Sequence, residues 1–170
     1  MIDQAEKISI NLKYKNLEKS FSATPENAWI FINNFFSEFF PSFEIASKLL
    51  LTVNLPNLAK DCEGLIAFSP EGANLLANRK RLTDNETLLL WLLASYLGSK
   101  LGLMINETIS KEELQIKLGK SSKITSTRLG ELVKSDMVIK MADEKYKITT
   151  FGINQMLVDI IPKVKAKLTS

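Results

Sequence analysis

The chain has 170 residues, a formal net charge of +3, no histidine and one cysteine, Cys62. The lack of histidine excludes zinc-cluster patterns, Ser-His-Asp triads and Cys-His pairs, and a single cysteine excludes an internal disulfide. The hydrophobic and charged fractions are those of a folded protein with room for one large domain or two small ones. We therefore expect no enzyme, no metal site and no cofactor, and we expect Cys62 to be a small buried residue.

The sequence gives no indication of a membrane segment. The first residues are polar and acidic, whereas a secretory signal is basic and then apolar. Residues 88–97 are intensely apolar, but they cover about half the length that a membrane span needs. These features predict a cytoplasmic protein in which residues 88–97 form a buried helix.

Residues 1–78 predict a small α+β unit. Alternating apolar residues indicate a strand from Ile8 to Tyr14 and a return strand through Leu17 and Phe21. A threonine cap followed by proline then predicts a helix that starts at Thr24 and ends near residue 40. Its apolar stripe is expected to be core that packs on the hairpin, and it consists of Trp29, Ile32, Phe35, Phe36 and Phe39.

The rest of this unit alternates between short helices and short strands. Helices are predicted from Ser42 to Leu51 and from Asn54 to Gly64. Residues 65–68 predict a buried strand and residues 69–72 a turn, and residues 73–76 fit either a strand or one helical turn. Because residues 78–81 are polar and basic, we place a domain boundary there, with domains at 1–78 and 79–170.

The second domain opens on a capping box, Thr83 with Glu86, and continues into a long helix that is apolar on nearly every side. Such a helix must be covered all round. The helices that follow it can cover one side. The remainder requires the N-terminal unit, the C-terminal helix or a second subunit.

Residues 110–134 predict two helices joined by a tight turn. Ser110 with Glu113 is a capping box, and Gly119 is a natural stop for a short helix. The second helix begins near Ser121 or Ser122, and its inward stripe is predicted to consist of Ile124, Leu129, Leu132 and Val133. This spacing is typical of a helix-turn-helix, whose second helix can lie in the major groove of DNA.

A β-hairpin follows, with strands at residues 137–139 and 145–149 around a turn at residues 142–144. Tyr146 and Ile148 are expected to face inward. The segment resembles the winged-helix proteins of the MarR and ArsR regulator type through Leu129, Leu132, Tyr146, Ile148, Thr149 and Gly152. The layout is also similar to small archaeal proteins that attach a short N-terminal domain to a winged helix.

The resemblance implies an α+β fold, with a small N-terminal unit and a C-terminal winged helix-turn-helix that ends in a further helix containing Pro162 as a kink or an end. It also implies a transcription regulator that binds double-stranded DNA, as a homodimer if the terminal helix supplies a dimer contact. The predicted DNA-binding residues are Lys120, Ser122, Lys123, Ser126, Thr127, Arg128, Lys134, Lys145 and Lys147. The N-terminal unit would dimerise, bind a protein partner or sense a ligand.

Two features of the sequence depart from the winged-helix pattern and weaken the DNA-binding interpretation. Asp136 stands where such domains usually have glycine, and aspartate adopts the left-handed conformation more readily than most residues, so it can serve there. Asp143 and Glu144 at the hairpin tip would repel phosphate. The hairpin would then contact DNA through its sides or not at all. The alternative is a winged helix that mediates protein assembly, as an accessory subunit of a transcription or replication complex.

Overall fold

The computed structural model describes residues 7–39 and 51–169, which divide between two compact units, Met1–Leu50 and Leu51–Ser170. We call these unit 1 and unit 2. Both combine helices with small antiparallel sheets, so the chain belongs to the α+β class. The units separate between Leu50 and Leu51, whereas the sequence placed the boundary near Asn78.

Unit 1 is a β-hairpin with one helix against it. Strand β1 (Ile8–Tyr14) pairs antiparallel with β2 (Leu17–Ala23), and Lys15 adopts a left-handed conformation, φ 53°, in the turn between them. Helix α1 (Pro25–Phe39) packs on both strands. These predicted elements are confirmed. The predicted helix at residues 42–51 falls almost entirely outside the described residues.

The inward face of α1 differs from the predicted stripe at one position. Ala28 and Phe35 are buried, and the Phe31 ring stacks on Phe21 with 3.7 Å between ring centroids. Trp29 was predicted to be core, but it is 66% exposed. An α-helix turns by about 100° per residue, so the residue that follows Ala28 is rotated away from the hairpin.

Unit 2 begins with a short helix and a second hairpin. Helix α2 (Leu55–Asp61) is capped by Asn54, whose side chain accepts a hydrogen bond from the Asn57 amide at 2.9 Å. It ends slightly before the predicted stop at Gly64. Strands β3 (Ile66–Ser69) and β4 (Gly72–Leu75) then pair antiparallel, which decides for a strand at residues 73–76.

Helix α3 (Asp84–Lys100) is the centre of unit 2. Its capping box between Thr83 and Glu86 is formed in both directions, and its leucines are almost completely buried. The sequence did not identify which segment covers the remaining side of α3. In the structure, the hairpin β3–β4 and helix α2 cover it. Because residues 55–77 bury α3, they belong to the same unit as α3. This is the physical reason why the boundary lies before residue 51 and not near Asn78.

Gly98 fits this packing. A Cβ atom at this position would lie 2.7 Å from both the Phe68 ring and the Met104 sulfur. Gly98 therefore lets the β3–β4 hairpin approach α3 closely, and the helix continues past it to Lys100.

A three-stranded sheet and two helices complete the central part. Strand β5 (Ile109–Ser110) leads into α4 (Lys111–Leu118) and α5 (Ser122–Lys134), followed by β6 (Val138–Lys140) and β7 (Lys145–Ile148). The strand order is β5-β7-β6, with antiparallel pairs. Tyr146 and Ile148 are buried as predicted.

The chain closes with a helical segment that changes its winding. It consists of α6 (Thr150–Gln155), a π turn (Met156–Ile160) and α7 (Ile161–Thr169). Pro162 has no N–H to donate one turn back, and its ring would clash with a regular α-helical backbone there. The irregularity predicted at Pro162 therefore occurs in the preceding turn, which has π-helical winding, and the helix continues after it.

Two further expectations concern the chain as a whole. Cys62 is buried, and burial raises the pKa of its thiol to about 11, so it remains a protonated thiol at neutral pH. Among the described residues, no helix combines the length and apolar character needed to cross a membrane.

Candidate nucleic-acid interface

The α4–α5 pair is defined by three local signals. Ser110 accepts a hydrogen bond from the Glu113 amide at 3.2 Å and starts α4. Gly119 ends that helix in the left-handed conformation, φ 66°, and Ser121 caps α5 by accepting from the Ile124 amide at 3.4 Å. Both predicted helices are therefore confirmed, with only a tight turn between them.

The buried face of α5 is slightly rotated from the predicted stripe. Thr125, Leu129 and Leu132 are buried, and the Thr125 hydroxyl donates to the Ser121 carbonyl at 3.1 Å. Ile124 was predicted to point inward, but it is 40% exposed. A hydroxyl that bonds within its own helix can be buried, so a polar residue occupies the position that periodicity assigned to its apolar neighbour.

The opposite face of α5 is open. Lys123, Thr127, Gly130 and Lys134 follow one another along it at helical spacing, with exposed Ser126 beside them. A Cβ atom at Gly130 would meet none of the described residues within 4 Å, so packing against them does not require a glycine there. Glycine inside a helix costs about 1 kcal/mol relative to alanine, so Gly130 lowers the stability of α5 with no packing reason among the described residues.

Arg128 lies to one side of that face. Its guanidinium donates to Glu131 at 2.9 Å and lies 3.7 Å from the Asp84 carboxylate at the start of α3. The hydrogen bond from Arg128, together with one from Asn85, holds the pKa of Glu131 below its ordinary value. Arg128 was predicted to contact DNA, and the structure places it in an ion-pair cluster that already neutralises its charge.

Asp136 forms the turn that connects α5 to the β6–β7 hairpin, at the position where a glycine was expected. Asp136 has φ 56°, and the next amide, Met137, donates to the Leu132 carbonyl at 3.1 Å. This is a left-handed helix end of the kind that glycine usually makes. The expectation that aspartate can serve here in place of glycine is confirmed.

Thr149 and Gly152 fasten the same connection from the other side. The Thr149 hydroxyl donates to the Asp136 carbonyl at 2.6 Å and accepts from the Gly152 amide at 2.9 Å. A Cβ atom at Gly152 would lie 2.2 Å from the Met137 carbonyl oxygen. The Thr-x-x-Gly part of the motif is therefore a tight junction between the hairpin and α6.

A groove of about 490 Å³ separates α5 from the β6–β7 hairpin. Among the described residues, three lysines from three different elements line it: Lys111 on α4, Lys134 on α5 and Lys140 on β6. Glu144 also lines the groove, but its carboxylate pairs with Lys140 and lies 3.5 Å from Lys111. The hydrogen bond from Lys140 holds the pKa of Glu144 below its ordinary value, so the carboxylate stays charged.

The other predicted residues differ in their exposure. Lys120, Ser122 and Lys145 are exposed, whereas Lys147 is half-buried and lies 3.5 Å from Glu107. The sequence did not single out Lys111 or Lys140. Lys140 could have been identified from the strand register of the hairpin. It lies directly opposite the inward-facing Tyr146, so both residues are on the same face of the sheet.

Comparisons with protein-family models, characterised proteins and solved structures give no match. The functional assignment therefore depends on the geometry of the site. Within residues 7–39 and 51–169, no group of three or more carboxylate or cysteine side chains is arranged to hold a metal ion.

Proposed function

We propose that residues 84–169 form a winged helix-turn-helix domain that binds double-stranded DNA and acts in transcription regulation. In this proposal α5 is the recognition helix and the β6–β7 hairpin is the wing. The order of elements supports it, because α3, α4 and α5 are followed by a hairpin whose second strand pairs with β5. A short helix pair with a tight turn is the arrangement that presents a helix to the major groove.

The observation that carries the proposal is the convergence of lysines on the α5 groove. Lys111, Lys134 and Lys140 come from three different elements, and Lys123 extends the basic surface along α5. Phosphate contacts of this kind supply most of the non-specific affinity for DNA. Among the described residues, the one carboxylate that lines the groove, Glu144, pairs with Lys140 and Lys111.

Each part of the surface then has a distinct role. Lys123, Ser126 and Thr127 would meet base edges or phosphates in the major groove, since all three are exposed on α5. The groove lysines, together with Lys120 and Lys145, would contact the backbone. Gly130 would let the duplex approach the α5 backbone without steric hindrance.

The test is fluorescence anisotropy of the full chain with labelled random duplex DNA across a salt series. A domain that makes about four phosphate contacts should give a slope of about −3 to −4 in log affinity against log salt. Lys134→Ala should weaken binding about tenfold at low salt and reduce the slope by about one.

A matched control is Lys163→Ala, which removes the same charge from α7, where Lys163 pairs with Asp159 at 2.6 Å. Its affinity and slope should stay close to those of the parent chain. Arg128→Ala should have a smaller effect than Lys134→Ala, because Arg128 is already paired. Absence of binding at low salt would contradict the DNA-binding proposal.

One observation favours the alternative, a winged helix used for protein assembly. Large apolar side chains on the same unit are exposed, namely Ile116, Ile124, Ile139 and Met141. Ile116 on α4 is 79% exposed. If Ile116→Ser abolished co-purification of a partner while Lys134→Ala left nucleic-acid binding unchanged, assembly would replace DNA binding as the function.

A homodimer remains part of the proposal, because a two-fold dimer would match a palindromic site. Phe151 and Val158 in the terminal segment are exposed and could be covered in such a dimer. Sedimentation equilibrium measures this directly, and a dimer should double the salt slope per complex. A monomeric mass at the concentration used for binding would exclude the dimer.

A further inference from the structure

Strand β1 is an edge strand whose apolar face is incompletely covered. Among the described residues, it pairs with β2 on one side only. Its apolar residues alternate toward the face that α1 covers, yet all of them are half-buried or exposed: Ile8, Ile10, Leu12 and Tyr14. Ile8 is 43% exposed. A two-stranded hairpin is marginally stable, so further cover for this face would stabilise unit 1.

The outer edge of β1 offers backbone groups to a further strand. Tyr14 and Leu17 close a two-residue hydrogen-bonded turn. Because hydrogen bonding alternates along an antiparallel pair, the N–H and C=O groups of Ser9, Asn11 and Lys13 point away from β2. All three residues are exposed. The pairing with β2 is continuous, and β1 contains neither a bulge nor a proline that would hinder a new strand.

Helix α1 extends its apolar surface past this edge. Phe31 of α1 stacks on Phe21 of β2. Glu38 pairs with Lys19, also on β2, at 2.9 Å, so one flank of α1 lies over β2. Each residue turns an α-helix by about 100°, which places Trp29 on the flank opposite Glu38. Trp29 is 66% exposed, and it lies on the side of the helix where a strand added to β1 would run.

The inner face of β1 is complementary to a second copy of itself. If Asn11 faces the partner's Asn11 across a two-fold axis, all seven residues of each strand are paired. Ile10 then lies opposite the partner's Leu12, and Ile8 lies opposite the partner's Tyr14. Apolar residues meet only apolar residues on this face, which Trp29 also covers.

The charges on the outer face allow the same pairing. Lys13 lies opposite the partner's Ser9, so no like charges face each other within the paired strands. Lys7 and the partner's Lys15 come closest just beyond the strand ends. Added salt screens them, so it should strengthen this contact slightly, whereas it weakens DNA binding.

The equivalent pairing of β2 is less favourable. A two-fold axis at Ser20 would place Lys19 opposite the partner's Phe21 on the inner face. An ammonium group would then be covered beside an aromatic ring and would lose hydration. The comparison selects β1 as the strand that pairs with a second copy.

We propose that two copies of this chain associate through β1 into a continuous four-stranded antiparallel sheet, with both α1 helices on one face. About six backbone hydrogen bonds join the two β1 strands. Trp29 of each copy covers the partner's Leu12 and the partner's Tyr14. This surface gives the homodimer of the proposed function an interface in unit 1, and it does not require that the chain binds DNA.

The test is sedimentation equilibrium of the full chain over a concentration series. Asn11→Pro removes an N–H group that points away from β2 and obstructs the edge, so it should weaken the dimer at least tenfold. Ser20→Pro is the matched control, because Ser20 lies opposite Asn11 on β2 and its N–H points to the other edge. It should dimerise as the parent chain does.

A charge exchange at the axis keeps the test independent of the effect of proline on folding. Asn11→Lys and Asn11→Asp each place like charges opposite each other and should dimerise about fivefold more weakly than the parent chain. An equimolar mixture pairs lysine with aspartate and should regain the parent affinity.

Three results would overturn the proposal: a monomeric parent chain, equal effects of the two proline substitutions, or a mixture that associates no better than either variant alone. A dimer that persists in every variant would place the contact elsewhere, for example at Phe151 and Val158. Lys134→Ala should leave dimerisation unchanged, so failure of the DNA-binding proposal is measured separately.

Discussion

The two units of this protein bury their apolar residues to very different degrees. In unit 2, Leu88, Leu90, Leu92 and Leu93 on α3 are completely buried among the surrounding elements. In unit 1, Ala28 and Phe35 are the buried apolar side chains among the described residues, and the strand residues are half-buried or exposed. Unit 2 therefore has a continuous core, whereas the described part of unit 1 has a single apolar layer between one hairpin and one helix.

This difference predicts different local stabilities. A small unit buries a smaller fraction of its surface, so less hydrophobic free energy is available to offset the loss of chain entropy. Regions with little buried apolar contact open at lower free energy than the core. We expect unit 2 to set the global stability of the chain and unit 1 to open below it.

The largest effect is expected at the tight junction of unit 2. Gly152→Ala would force a Cβ atom to within 2.2 Å of the Met137 carbonyl oxygen, a backbone atom that cannot move independently. Overpacking of this kind should lower the free energy of unfolding by about 3 kcal/mol or more. Urea denaturation followed by circular dichroism measures it.

The matched control is Gly130→Ala, another glycine-to-alanine change within a helix of the same unit. Its Cβ would meet none of the described residues within 4 Å, so the variant should be more stable by about 0.5 to 1 kcal/mol. The same variant should bind DNA more weakly if the duplex approaches α5 here. Equal destabilisation by both substitutions would show that the close approach at Gly152 is not what limits that position.

Core truncation should separate the two units. Leu93→Ala removes a completely buried side chain from α3 and should lower the protection of α3 amides against hydrogen exchange by about 2 to 5 kcal/mol. The β1–β2 amides should not change. Phe35→Ala should do the reverse, and equal loss of protection in both units after either change would mean that they unfold together.

A smaller effect is expected from the ion pair that joins α3 to α7. The Glu86 carboxylate accepts from Lys167 at 2.6 Å and from the Thr83 amide at 2.8 Å. Burial opposes its ionisation, but the bonds from Lys167 and Thr83 outweigh burial and hold the pKa of Glu86 below its ordinary 4.5. The folded state therefore binds fewer protons than the unfolded state in acid.

The stability due to Glu86 is consequently complete above the ordinary pKa and is lost as the pH falls through the lowered one. Glu86→Gln should cost about 1 kcal/mol at neutral pH and should flatten the loss of melting temperature between about pH 5 and pH 3. Glu113→Gln is the matched control, because Glu113 follows its cap at the same spacing on α4. If the melting temperature of Glu86→Gln fell with pH as it does in the parent chain, the Glu86–Lys167 ion pair would not contribute to the acid sensitivity.

Local signals in the sequence predicted most elements of the chain. Caps at Thr83, Ser110 and Ser121 and the stop at Gly119 have partners within a few residues, so their hydrogen bonds form wherever the helix forms. Asp136 adopts the left-handed conformation at the end of α5, and the Thr149 hydroxyl, thirteen residues away, donates to its carbonyl. Periodicity was less exact, because it assigned Trp29 and Ile124 to buried faces from which they are rotated away.

The candidate site was predicted only in part. Lys120, Ser122, Lys123, Ser126, Thr127 and Lys134 lie on the exposed turn or on α5 as expected. Two properties depend on residues far apart in the sequence: the pairing of Arg128 with Asp84, and the meeting of Lys111, Lys134 and Lys140 at one groove. No local pattern carries that information.

The sequence by itself determined most of the helices and strands, because caps, turns and alternation act over a few residues. Only the tertiary structure decided what covers α3, since several segments were apolar enough to do so and the β3–β4 hairpin fits closely because Gly98 leaves room for Phe68. The tertiary structure also decided which lysines and arginines are paired with a carboxylate and which are not. The charge of a lysine or arginine is set by the sequence, but whether a carboxylate neutralises it depends on which distant residue the fold brings beside it.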